Sequence, residues 1–184
     1  MKIMKYIVGI LMVLCAGTIY AQKSVNNFSV NDREVVWQKV FDTDCTFDEV
    51  KTILMESGKL EIKHVGENKI LADLKPVRAL YRELGYGRLT TTIYLIEGYF
   101  RAFAVIEYKE NRYRVTLKKI SVNTYTETVN DGEVITDSWN LLSTYCLKNR
   151  KESYKSGFKN EDSKILDHTF SKSFKVKKST EDNW

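Results

Sequence analysis

Few side chains in this sequence have the type and spacing that catalysis needs. The two histidines are His64, on a predicted strand, and His168, near the C-terminus. We interpret each as a surface or half-buried histidine rather than a base or a ligand. The sequence contains no nucleophile elbow, phosphate-binding glycine loop or His-Glu-x-x-His helix. It therefore predicts no catalytic, cofactor or metal site, although a glycosidase pair of facing carboxylates stays open.

Two cysteines, Cys45 and Cys146, lie outside the N-terminal apolar run. Their spacing matches no zinc motif. In an oxidising compartment they can form a disulfide if their Cα atoms come within about 7 Å. We favour two separately buried free thiols and keep the disulfide as the alternative.

The first 21 residues are typical of a secretory signal peptide. Lys2 and Lys5 give a positive start, and residues 6–16 form an uncharged apolar run. Ile19 and Ala21 stand where residues before a cleavage site are expected. We predict cleavage after Ala21 and export of the mature protein to the periplasm or the cell exterior.

Two other interpretations of this apolar run are weaker. The run is shorter than the roughly 20 residues that span a bilayer, which disfavours a membrane anchor. Leu14 stands before Cys15, where a lipoprotein signal requires a small residue. No later segment is apolar enough to be transmembrane. The formal net charge of +5 is mild and dispersed, so we expect a solvated surface and no nucleic-acid partner.

The first structured elements are predicted after a flexible leader at 22–33. Residues 34–41 are rich in β-branched and aromatic side chains and predict a strand. Thr46 and Glu49 have the spacing of a capping box, which predicts a helix start. Gly58 is placed to end that helix.

Strand patterns continue through the middle of the chain. Residues 59–65 and 69–74 alternate as a hairpin that Pro76 ends. Residues 89–122 predict three antiparallel strands joined by two-residue turns. The predicted register brings its inward residues together as the pairs Leu95–Phe100, Ile93–Ala102, Thr91–Ala104, Tyr108–Tyr113, Ile106–Val115 and Ala104–Leu117.

Helices are expected to close the fold. Asp137 predicts a helix through Arg150, and residues 165–174 predict a short terminal helix before a flexible tail at 175–184. The element order is β-α-β-β-β-β-β-α. It predicts an α+β two-layer sandwich, an antiparallel meander sheet with helices on one face, as a single domain over 34–174.

The second face of the predicted meander carries more aromatic side chains than a solvent-facing surface needs. Tyr94, Tyr99 and Phe103 lie there beside the positive Arg101 and Lys118. Tyrosine offers a large contact area together with a hydroxyl, so these five residues form a candidate partner-binding face. The alternative is that a loop or the C-terminal segment covers them.

Three passages resemble a family of exported Bacteroidetes proteins of unknown function. They are Thr-Phe-Asp-Glu at 46–49, the strand at 70–74, and Glu-Tyr-Lys-Glu-Asn-Arg-Tyr-Arg-Val at 107–115. The resemblance covers about half of the predicted mature chain. It implies a TATA-box-binding-protein-like fold and export, and it implies no activity.

These observations favour an exported, non-enzymatic module. We expect it to bind a partner protein or a glycan-like ligand through the tyrosine-bearing face, with no cofactor. An envelope-polymer hydrolase with an unrecognised carboxylate site is one alternative. A purely structural envelope component is the other.

Overall fold

The structure, a computed structural model, describes residues 24–123, 129–130, 133–134, 138–148 and 153–177. The predicted signal peptide and its cleavage site lie outside the described residues. The strands are β1 (Phe28–Asn31), β2 (Glu34–Asp42), β3 (Leu60–Val65), β4 (Lys69–Arg78), β5 (Tyr99–Lys109), β6 (Arg112–Asn123), β7 (Val129–Asn130), β8 (Glu133–Val134) and β9 (Trp139–Leu141). The helices are α1 (Phe47–Glu56), α2 (Ile93–Glu97), α3 (Leu142–Cys146) and α4 (Ser163–Phe174), with a 3₁₀ turn at Tyr81–Leu84 and a π-helical turn at Phe158–Asp162.

Within the described residues, seven strands form one antiparallel sheet. Its order is β1-β2-β6-β5-β4-β3, and β9 pairs with the C-terminal end of β6. Helices α1 and α4 bury Leu54 and Phe170 in the same core as the sheet residues Ile70, Ala104 and Val115. The predicted α+β class, with helices packed on one face of an antiparallel sheet, is confirmed.

Helix α1 begins as the sequence predicts. The Thr46 hydroxyl accepts a hydrogen bond from the Glu49 N–H, and the Glu49 carboxylate accepts one from the Thr46 N–H at 2.7 Å. These bonds satisfy two backbone donors that a helix start leaves without partners. Gly58 follows the last turn at φ 69°, the left-handed conformation that glycine adopts at little cost.

Strands β5 and β6 also pair as predicted. Tyr108 lies opposite Tyr113, Ile106 opposite Val115 and Ala104 opposite Leu117. The connecting turn holds Glu110 and Asn111 at positive φ, which matches the right-handed twist of the flanking strands. This register places every second side chain of β5, and of β6 as far as Leu117, on the core side of the sheet.

The predicted first strand of the meander is wrong, because residues 93–97 form helix α2. Strand β4 occupies its place in the sheet, so Ala104 pairs with Ala72 and not with Thr91. The alternation of β-branched and aromatic residues here resembles a strand over only a few residues, too short to separate the two periods. Gly98 then lies so close to α2 that a Cβ there would be 2.7 Å from Val122 and closer still to the Tyr94 carbonyl.

The predicted flexible leader is wrong for residues 28–31, which form β1. Phe28 is fully buried, with its ring 5.2 Å from that of Phe158. Asp32 and Arg33 make the turn into β2, both at positive φ. The turn has the backbone of a tight hairpin but lacks the glycine that usually signals one.

The predicted helix from Asp137 is also wrong over its described part. Residues 139–141 form β9, and only residues 142–146 are helical. The chain becomes extended at Leu147, which pairs with Tyr154. Asp137 and Arg150 lie outside the described residues.

Two further boundaries differ from the predictions. Strand β4 continues past Pro76 to Arg78 with an irregularity in its pairing, as expected where proline supplies no N–H. The predicted terminal helix forms as α4, but the tail beyond it is anchored at its start. Val176 is buried, and its N–H donates to the Tyr113 hydroxyl at 2.9 Å.

Candidate functional site

The sheet face opposite α1 and α4, called the outer face below, has two halves. The half next to the β5–β6 turn, called the hairpin half, carries charges that are paired with each other. Arg114 lies 2.8 Å from Glu107, and Lys69 lies 4.0 Å from the same carboxylate. Beside them, the Gln38 side chain donates to the Thr116 hydroxyl at 2.9 Å. This half satisfies its own polar groups.

The other half, called the groove half below, begins at a bulge in β6. Lys119 has φ 52°, and the pairing of β5 with β6 shifts here by one residue. Strand β2 pairs with β6 up to Leu117, and β9 takes over at Ser121. The Glu34 carboxylate accepts the Lys119 N–H that the bulge removes from the ladder.

A groove of about 1220 Å³ crosses this half. It runs from the β1–β2 turn across β6 and β5 to β4 and β3, with α3 and its following loop at one side. Its apolar lining residues include Phe103, Leu141 and Leu147. The charged lining residues are Asp32, Arg33, Glu34, Glu61, Asp73, Lys75, Arg101, Lys119 and Lys155.

Four of the five predicted face residues lie on the outer face of the groove half. Arg101 and Phe103 line the groove. Lys118 is exposed opposite Phe103 on the neighbouring strand. Tyr99 is 37 % exposed at the end of the same strand as Arg101.

The prediction for the fifth, Tyr94, is wrong. Its side chain is 3 % exposed, and its hydroxyl donates to the Asp162 carboxylate at 2.8 Å. Thr92 donates to the other oxygen of the same carboxylate, also at 2.8 Å. Burial and the Asp162 charge raise the pKa of Tyr94 well above its ordinary value. Tyr94 therefore joins α2 to the start of α4 and is not part of a binding face.

Two aromatic rings of the groove half are covered by arginines. The Arg101 guanidinium carbon lies 4.1 Å from the centroid of the Trp139 ring, and that of Arg78 lies 4.5 Å from the Tyr99 ring. A guanidinium stacked in this way keeps its N–H edge free for other partners. The stacking restricts each arginine before any ligand arrives.

Glu61 and Asp73 are two neighbouring carboxylates of the groove lining. They face each other across β3 and β4, and Lys63 lies 2.6 Å from the first and 3.3 Å from the second. The hydrogen bond and charge of Lys63 lower the pKa of Glu61. A general acid of a glycosidase needs a raised pKa, and Glu61 lacks that property.

The histidines lie apart from the groove. His64 is exposed on the edge strand β3. His168, on α4, has Nε2 2.9 Å from the Glu83 carboxylate, whose other oxygen accepts from Lys172 at 2.6 Å. The Lys172 and His168 hydrogen bonds lower the pKa of Glu83. This cluster links the 3₁₀ turn to α4.

Cys45 and Cys146 are both buried free thiols, the interpretation favoured from the sequence. The Tyr108 hydroxyl donates to the Cys45 carbonyl at the end of the sheet that holds the β5–β6 turn. Cys146 ends α3, and burial raises the pKa of its thiol to about 12. Such a thiol is inert at neutral pH.

Trp139 and Lys119 are site residues that sequence reasoning missed. Trp139 falls within the helix that the sequence predicts from Asp137, and Lys119 falls within the predicted meander at 89–122. No local pattern marks the bulge, because its carboxylate partner Glu34 lies 85 positions away in sequence.

The described residues contain neither a candidate metal-ion cluster nor a helix that could span a membrane. No group of three or more His, Cys, Asp or Glu side chains in the described ranges is placed to hold a metal ion. No helix in the part of the chain that the structure describes has the length and apolarity to cross a membrane.

Comparison with known proteins found likeness in structure only. No family model matches the chain, and no curated protein matches it. A TBP-like protein from Parabacteroides distasonis is similar at a TM-score of 0.46 and 12% identity, over 79% of this chain and 93% of that one. A DUF4468 family protein from Bacteroides ovatus has the same TM-score and identity, over 83% of this chain and 93% of that one. Both neighbours come from Bacteroidetes, the group named in the sequence resemblance. Their likeness to this chain gives no information on its function.

Proposed function

We propose that this chain is an exported, non-enzymatic module that binds a ligand in the groove of its outer face. The observation that carries the proposal is the groove itself. Helices α1 and α4 cover the opposite face, whereas no described residue fills about 1220 Å³ of concave space with exposed polar and apolar side chains here. Concave sites that combine apolar walls with a few placed polar groups are the usual ligand sites of proteins.

The two halves of the outer face support this location. The hairpin half pairs its charges internally, as a solvated surface does. In the groove half, Leu141 is 49 % exposed and Phe103 is half-buried, so apolar area remains available. Exposed apolar area beside polar groups is typical of interaction sites.

The hydrolase alternative has weaker support. Glu61 and Asp73 are the neighbouring carboxylates of the groove, and Lys63 pairs with both. The hydrogen bond and charge of Lys63 lower the pKa of Glu61, so Glu61 does not resemble a proton donor poised for neutral pH.

A comparison of variants on glycan and peptide arrays tests the groove. We expect ligands captured by the wild type to be lost in Phe103→Ser and kept in Val40→Ser, an outer-face control from the hairpin half. Both variants should unfold at the same temperature as the wild type to within a few degrees. Equal capture by all three proteins would contradict binding in the groove. Absence of capture by the wild type would contradict the binding proposal and favour a purely structural role.

Export is tested separately. The positive start and apolar run of residues 1–21 support secretion. N-terminal sequencing of the protein from the periplasm or medium should begin at Gln22. A protein that stays in the cytoplasm with Met1 intact would contradict export and leave the groove proposal standing.

A further inference from the structure

The cations of the groove half are arranged to receive an anion. Within the described residues, no carboxylate forms an ion pair with Arg101, Lys119 or Lys155. The acidic lining residues are partly engaged already. Lys63 pairs with both Glu61 and Asp73 from beside the groove. The lining carries five cations and four carboxylates, and Lys63 beside it adds a further positive charge, so the groove has a net positive charge. The lining cations are Arg33, Lys75, Arg101, Lys119 and Lys155.

Glu34 is held by a backbone hydrogen bond and forms no ion pair with a groove cation in the described residues. Its carboxylate accepts the backbone N–H of Lys119 at the bulge, and no ion pair joins it to the Lys119 ammonium in the described structure. The backbone bond holds Glu34 at the floor while the lysine side chain stays exposed. The bulge thus leaves the Lys119 ammonium exposed and without an ion-pair partner in the described residues.

Arg101 is the best-placed of these cations. Stacking on Trp139 at 4.1 Å fixes the plane of its guanidinium, which lowers the entropy lost when a ligand binds. A planar guanidinium with a free N–H edge matches a carboxylate in bidentate geometry. The position next to Ser121 on the neighbouring strand places it in the middle of the groove floor.

The aromatic rings favour a peptide over a sugar polymer. Sugar rings bind proteins largely through exposed aromatic faces. Arg101 is stacked on one face of the Trp139 ring and Arg78 on one face of the Tyr99 ring, so these faces are not available to a sugar. The exposed Leu141 and the half-buried Phe103 offer aliphatic and aromatic contacts beside the cations. The space of about 1220 Å³ exceeds the roughly 300–1,000 Å³ of small-molecule sites and suits a chain segment.

We infer that the groove binds an acidic polypeptide segment that carries apolar residues beside its carboxylates, an inference that rests on the proposed function. Arg101 receives one carboxylate. Lys119 and Lys155 attract the neighbouring ones, and the wall formed by Leu141 and Phe103 takes an apolar side chain.

Fluorescence anisotropy with a labelled peptide of glutamate and leucine tests this inference. The same peptide with glutamine in place of glutamate is the ligand control. We expect Arg101→Gln to raise the Kd of the acidic peptide about tenfold, the usual effect of losing one charge-assisted hydrogen bond. Arg114→Gln, the same change in the hairpin half, should leave the Kd within about twofold. Added salt should weaken the acidic peptide and spare the glutamine peptide.

Competitors separate the other sources of an anion. Polygalacturonate supplies carboxylates on a sugar polymer, and inorganic phosphate supplies charge alone. If polygalacturonate binds in an Arg101-dependent way and the peptide does not, the peptide inference fails while groove binding stands. Displacement of the peptide by phosphate at equal concentration would also overturn it, because the site would then recognise charge without a chain. Equal affinity of the wild type and Arg101→Gln would overturn the role of Arg101.

Discussion

The two faces of the sheet are built from alternate residues of the same strands. One face packs against the helices, and the other carries polar and charged side chains. Along β5 and β6, Ile106 and Val115 are buried against the helices, whereas their neighbours, the half-buried Glu107 and the exposed Arg114, form an ion pair. Both sets share one backbone and one register. The difference teaches that stability is concentrated on the inner face, which leaves the outer face free to vary in charge and shape.

The largest expected difference between the faces comes from Phe170→Ala. The Phe170 ring lies 5.6 Å from that of Trp37 and 6.2 Å from that of Phe28, so truncation leaves a cavity in the centre of the core. We expect the free energy of unfolding to fall by about 3–5 kcal/mol. Urea denaturation measures it, with Val40→Ala as an outer-face control that should change by less than about 0.5 kcal/mol. If both variants lost a similar amount of free energy of unfolding, the inner and outer faces would not differ in their contribution to stability.

Alkaline pH should lower the free energy of unfolding through a buried group, the Cys146 thiol. The pKa of the Cys146 thiol is raised to about 12, so the folded state holds this proton more tightly than the unfolded chain does. The resulting stability is complete below about pH 9 and is lost as pH rises toward 12, at about 1.4 kcal/mol for each unit. Urea titrations across this interval should show a shallower decline in Cys146→Ala. A decline of equal slope in both proteins would exclude Cys146 as the cause.

A polar contact of the buried side gives a smaller effect. Asp162→Ala removes the acceptor of both Tyr94 and Thr92 and leaves the buried tyrosine hydroxyl without its partner. We expect a loss of about 1–3 kcal/mol in the free energy of unfolding. Asp162→Asn retains a carbonyl acceptor and should recover part of it. If Asp162→Asn loses as much free energy of unfolding as Asp162→Ala, the hydrogen bonds from Tyr94 and Thr92 are not the cause of the loss.

The smallest effect is expected in the hairpin half of the outer face. Glu107→Gln weakens the ion pairs with Arg114 and Lys69, both of which are solvent-exposed. The free energy of unfolding should fall by no more than about 1 kcal/mol, and added salt should abolish the difference. Chemical denaturation at low and high ionic strength checks this. A larger, salt-independent loss would mean that this half is part of the core.

The elements predicted correctly are those whose information is local. The capping box joins Thr46 to Glu49, and the β5–β6 register follows from alternation on both sides of one short turn. The class of the fold follows from the same patterns. In such segments propensity, periodicity and turn chemistry agree.

The elements that were missed depend on partners far away in the chain. Helix α2 is held by Asp162, 68 positions after Tyr94, and alternation alone could not reveal that contact. The groove needs β9 to join β6 beyond the bulge at Lys119. Arg101 and Phe103 could be found because they follow the register of β5, whereas Trp139 could not.

The narrow space around Gly98 restricts which residues can replace it during evolution. No side chain fits there without moving α2 from β6, since its first carbon would meet Val122 and the Tyr94 carbonyl. Selection for a folded protein should therefore remove every substitution at this position while it tolerates many on the outer face. Residue 98 is thus a diagnostic marker: a homologue that lacks glycine there must have rebuilt the junction between α2 and the sheet.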